Sequence, residues 1–121
     1  MILVDTSIWV DHLRVGDDGL ATLLNRTQVV THPFVIGELA CGNLRNRTEV
    51  LSLMADLPQA VVATNVEVLF FIEQHRLMGR GIGYIDAHLL ASVSLTSPTR
   101  IWTRDKRLGA LAAELDIAYQ A

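Results

Sequence analysis

The sequence predicts an α/β domain built on a parallel sheet, on three observations. Short apolar runs such as ILV at Ile2 to Val4 and RIWT at Arg100 to Thr103 are uninterrupted rather than alternating, the pattern of strands buried on both faces. Between such runs lie stretches with apolar residues at helical spacing, and strands joined through helices cross over and lie parallel. Half of the 121 residues are hydrophobic and 19% are charged, so the chain can bury a core.

Taken in order, ILV is the first strand. SIWVDHLR then places Ile8, Trp9, His12 and Leu13 on one helical face, with Thr6 or Ser7 able to cap. GLATLLNR, led in by Asp17 and Asp18, is a second short helix. QVVTH reads as a strand, and Pro33 suits the first turn of a helix running toward Leu44. Asn46 with Glu49, and Thr64 with Glu67, form two capping-box patterns that open helices through Ala55 and about Met78. Between them AVVA at Ala60 to Ala63 is a third strand. GRGIG at Gly79 to Gly83 breaks the pattern and is a loop. YIDAHLLASVSL is helical, RIWT is the fourth strand, KRLGALAAEL is the last helix and IAY is an edge strand.

No repeat, low-complexity stretch or linker divides the chain, so residues 1–121 are expected to form a single domain. Its longest apolar runs are too short to span a bilayer, and no basic segment precedes an apolar stretch at the start. Cys41 is the only cysteine, which excludes an intrachain disulfide, fits a reducing cytoplasm and suggests a small buried hydrophobe. The net charge of −3 argues against a protein that coats nucleic acid by charge alone. The basic residues are nonetheless all arginine except Lys106, the planar fork that suits phosphate or carboxylate.

Ligands of an open parallel sheet bind outside the carboxyl ends of its strands. Asp5 follows the first strand and Asp105 follows RIWT. Glu38 lies about one turn into the helix after QVVTH, and Asp86 lies in the first turn after the glycine loop. Each alone could cap a helix or face water. Together at one edge they would raise one another's pKa, a cost that a bound cation relieves. An all-carboxylate set with no clustered histidine or cysteine selects a hard ion, Mg²⁺ or Mn²⁺ in its place. Thr6, Ser7 and Thr103 stand beside these acids, where a hydroxyl could orient a carboxylate or cap a helix.

Four segments carry these acids in order: VDTSIWVDHL, VIGELACG, GRGIGYIDAHLLAS and IWTRDKRL. The chain resembles the PIN-domain nucleases, and more narrowly the VapC-type toxins of bacterial toxin–antitoxin pairs. The resemblance implies a five-stranded parallel sheet and a Mg²⁺-dependent endoribonuclease that forms a homodimer and is inhibited by a small antitoxin. It assigns Asp5, Glu38 and Asp86 to the family's acids and Asp105 to the fourth, most variable one. Lys106 and Arg107 stand where relatives can carry another acid, which favours one firmly bound ion.

On that reading Asp5 and Asp86 hold Mg²⁺ most directly, with Glu38 and Asp105 acting through water. Apart from these four acids the remaining surface is mildly basic, which is compatible with contact with RNA without demonstrating it. Arg104 and Lys106, beside Asp105, and Arg80, in the glycine loop, are the expected RNA contacts. His12, His32, His75 and His88 are scattered and read as structural, and Trp9 and Trp102 as core.

Three rivals are weaker. A phosphoacceptor receiver domain needs an acid after its third strand, where this chain has Thr64. A haloacid-dehalogenase-type phosphatase needs a second aspartate where Ser7 stands. A catalytically silent PIN-like module that binds RNA or protein could lose an acid, yet all four are present.

Overall fold

In a computed structural model, which describes residues 1–121, the strand β1 (Ile2–Val4) lies at the centre of a parallel sheet. It is flanked by β2 (Val29–Val30) and β3 (Arg100–Trp102), with Leu3 opposite Val30 on one side and Ile101 on the other. Leu3 and Val4 are fully buried, as an uninterrupted apolar strand covered on both faces should be. The helices are α1 (Thr6–Val15), α2 (Asp18–Asn25), α3 (Pro33–Ala40), α4 (Arg47–Asp56), α5 (Asn65–His75), α6 (Tyr84–Leu95) and α7 (Lys106–Glu114). None is long and apolar enough to cross a membrane.

The expected α/β architecture is present, but the sheet has three strands, not five. The expected outer strands are reduced to single parallel bridges, Thr31 to Gln59 and Ile101 to Ala118. On the first of these edges Ala60 N–H donates to the Thr31 carbonyl at 2.7 Å. Val61 and Val62 beyond it are exposed and make no ladder hydrogen bond, so AVVA does not continue as a strand.

Helix α6 passes through the interior, and every residue from Ala87 to Val93 is buried, so its sequence shows no polar face to read. Helix α5 begins with the expected capping box: Thr64 Oγ1 accepts from Glu67 N–H at 3.1 Å, and Thr64 N–H donates to Glu67 Oε1 at 2.8 Å. The matching expectation at Asn46 fails. That residue adopts a left-handed backbone with φ of 52° and makes no side-chain cap. Asparagine tolerates that conformation, and the turn is closed by Arg47, whose guanidinium donates to the Ala40 and Gly42 carbonyls. This ends α3 at Ala40, short of Leu44, and leaves Cys41 exposed, not buried as its type suggested.

Candidate active site

Four acids gather at the carboxyl edge of the sheet, and each is fixed through one oxygen. Asp5 continues β1, its N–H donating to the Trp102 carbonyl at 2.9 Å, and it is 7% exposed. Its Oδ2 accepts from Thr103 Oγ1 at 2.7 Å and from Ser7 Oγ at 3.0 Å. Glu38, exposed on α3, accepts at Oε1 from Thr6 Oγ1 at 2.6 Å. Asp86, half-buried in the first turn of α6, accepts at Oδ2 from Gly83 N–H at 3.2 Å. Asp105 caps α7, its Oδ1 accepting from the N–H groups of Arg107 at 2.9 Å and Leu108 at 3.0 Å.

The second oxygen of each carboxylate takes no hydrogen bond from the protein. The electrostatics report the same crowding. Burial raises the Asp86 carboxyl above its ordinary value against the pull of the Gly83 N–H, and the charges of Asp5, Asp105 and Glu38 push it further. No three of the acids converge into a ready-made cage. The donor chemistry fits a hard divalent cation, with Asp5 and Asp86 the more enclosed pair.

The hydroxyls form a network around Asp5. Ser7 Oγ accepts from Arg104 N–H at 3.1 Å, and Thr103 Oγ1 accepts from Asp105 N–H at 3.0 Å. Thr103 thus ties the first acid to the loop that carries the last. Neither Thr6 nor Ser7 caps α1 with its side chain; the cap position is Asp5 itself.

Two of the three expected RNA contacts are engaged elsewhere. Arg104 grips Asp11 at 2.5 Å and Asp17 at 2.7 Å, holding the β3–α7 loop to α1 and to the start of α2. The Leu20 N–H, and after it Arg104, hold the Asp17 carboxyl below its usual range. Arg80 pairs with Glu114 on α7 at 2.5 Å. Lys106 enters no ion pair. Sequence reasoning missed Asp11 and Asp17 as partners, because their pairing spans 93 and 87 residues.

The histidines lie outside the acidic cluster. His12 Nδ1 accepts from Asp17 N–H, and His75 packs against Phe71. His32 is fully buried, with Nδ1 accepting from Phe34 N–H and Nε2 at 3.1 Å from Ser92 Oγ. His88 is buried among Phe34, Tyr84 and His32. Trp9 and Trp102 are both in the core.

The sequence profile of the PIN domain family matches residues 2–114. Ribonuclease VapC32 of Mycobacterium tuberculosis, in strains H37Rv and CDC 1551, is 51% identical over 118 residues, covering 98% of this chain and 95% of the relative. Among solved structures, FitAB bound to an IR36 DNA fragment superposes with a TM-score of 0.64 at 17% identity, over 98% of this chain and 92% of that one, a likeness of fold. The chain belongs to the PIN-domain family and stands among its VapC proteins.

Proposed function

We propose that the protein is a Mg²⁺-dependent endoribonuclease toxin that hydrolyses RNA phosphodiester bonds and is silenced by a cognate antitoxin. The observation that carries the reading is the set of four carboxylates at one sheet edge, each with one oxygen held by the protein and one unengaged. Identity to Ribonuclease VapC32 supports RNA as the substrate. Mn²⁺ is the expected substitute for Mg²⁺, the cytoplasm the expected site of action, and a homodimer the expected working form.

Asp5 and Asp86 would hold the ion directly, with Glu38 and Asp105 acting through water. When bound, Mg²⁺ supplies positive charge for the phosphate oxygens and lowers the pKa of water. The Asp5 carboxylate is held in place by Thr103 and Ser7, whose hydroxyls both donate to Oδ2 and leave Oδ1 for the ion. Glu38, at the exposed rim, orients the attacking water, with Thr6 fixing which of its oxygens is offered. Asp105 completes the acidic ring from the cap of α7. Lys106 is the cation of the three first expected that can meet RNA without leaving a carboxylate, whereas Arg80 and Arg104 would have to exchange one partner for another.

The test is cleavage of RNA by purified, antitoxin-free protein with Mg²⁺, with EDTA, and as Asp5→Asn. Cleavage abolished in both controls is the expected result. Cleavage that survives Asp5→Asn, or its absence from the wild type across tRNA and ribosomal RNA, counts against the assignment.

A further inference from the structure

We propose that Arg107, which is not among the RNA contacts expected from the sequence, is the side chain that receives the RNA phosphate at the acidic cleft; this rests on the nuclease reading above. A polyanion meeting four carboxylates needs fixed positive charge beside them. Of the arginines around the cleft, Arg80 is paired with Glu114 and Arg104 with both Asp11 and Asp17. Arg107 takes part in none of the ion pairs, and its guanidinium donates no hydrogen bond within the protein.

Its side chain nevertheless packs closely on the glycine loop. Gly81 has φ of +83°, and a Cβ there would lie 2.7 Å from Arg107 Cδ, 2.8 Å from Nη1 and 3.0 Å from Nε. The arginine therefore lies across the glycine loop in space that only glycine leaves open. That loop ends at Gly83, whose N–H holds Asp86. At its other end Arg107 donates its own backbone N–H to Asp105 Oδ1. The guanidinium is thus suspended between the supports of two of the four acids with its donors unspent. A planar fork left unpaired beside the acids is suited to two oxygens of one phosphate.

The experiment measures binding of a fluorescein-labelled single-stranded RNA by anisotropy. All proteins carry Asp86→Asn, so that the RNA stays whole, and salt is varied. Arg107→Ala and Arg107→Gln are compared with Arg107→Lys and with Arg26→Ala, an equal charge change just before β2 at the opposite edge of the sheet. Removing the Arg107 charge is expected to weaken binding roughly tenfold, the size of one charge-assisted contact, and to flatten the log–log salt slope by about 0.7. Arg107→Lys should keep part of the affinity, and Arg26→Ala should change neither quantity. Unchanged affinity and slope in Arg107→Ala and Arg107→Gln would overturn the proposal, as would equal damage from Arg26→Ala. Failure of the parent to bind RNA would overturn it too. Absence of RNA cleavage by the wild type would instead defeat the nuclease reading, leaving an Arg107-dependent affinity standing.

Discussion

Thr103 Oγ1 donates to Asp5 Oδ2 at 2.7 Å across 98 residues of chain, and the same oxygen accepts the N–H of Asp105 at 3.0 Å. One hydroxyl therefore sets the orientation of a buried carboxylate and the start of the loop bearing another. The parallel register makes this possible: Val4 pairs with Trp102, so the next residues of both strands emerge side by side.

Thr103→Val keeps the shape and removes both bonds. It should cost about 1–2 kcal/mol in urea unfolding, since Asp5 loses a donor where water is scarce. It should also lower RNA turnover or Mg²⁺ affinity about 10- to 100-fold, as loss of a support to a ligating carboxylate does. Thr103→Ser should restore most of the turnover. A Val variant with wild-type turnover would show that Asp5 needs no such support.

Much of this was legible in the sequence, and what was not is tertiary in origin. The uninterrupted runs gave the central strands, and strand ends followed by Asp5 and Asp105 gave half of the acidic edge. The Thr64–Glu67 box is written in local chemistry and forms as written. Asn46 follows the same local rule and breaks it, because Arg47 supplies a different closure to the α3–α4 turn. The outer strands failed because strand pairing depends on a partner, and Val61 and Val62 have none. The arginines misled for the same reason: nothing near Arg80 or Arg104 in sequence announces Glu114, Asp11 or Asp17.

Asp86 carries an energetic cost in the protein without metal, since burial and three neighbouring carboxylates oppose its charge. Its raised pKa means that the ionised form destabilises the fold at neutral pH, and neutralising it should stabilise. Asp86→Asn, which can still accept from Gly83 N–H, should raise the melting temperature of the EDTA-treated protein by ~2–5 °C. The same change should abolish RNA cleavage. Mg²⁺ should raise the wild-type melting temperature with concentration and do so much less in the variant. An Asn variant that melts lower than wild type in EDTA would contradict the crowding.

His32 sets a pH limit on stability. Burial, and after it the charge of His88, lowers its pKa to about 4, and the Nδ1 that accepts from Phe34 must stay unprotonated to do so. The folded pKa lies below the unfolded value near 6.5. Stability is therefore full above that pH and falls as the pH drops from about 6.5 toward 4, by ~3 kcal/mol at most. His88, also lowered by burial, acts in the same direction. Urea unfolding between these limits should show a shallower decline in His32→Asn, which keeps an acceptor for the Phe34 N–H. Parallel curves for the two proteins would exclude His32 as the titrating group.

Arg104 separates a clasp from a substrate contact. Arg104→Gln leaves Asp17, at the start of α2, without a cationic partner and Asp11, on α1, with Arg14 alone at 3.7 Å, and those charges repel RNA. Binding should weaken by about threefold at low ionic strength and recover as salt screens the two acids. Adding Asp11→Asn and Asp17→Asn to the variant should return affinity to the wild-type value, because the pair of acids is what the arginine neutralises. Asn at position 17 can still accept the Leu20 N–H that starts α2, so the fold is kept. A triple variant that remains weak would mean that Arg104 leaves its carboxylates to take a phosphate, and the division of labour between Arg104 and Arg107 would reverse.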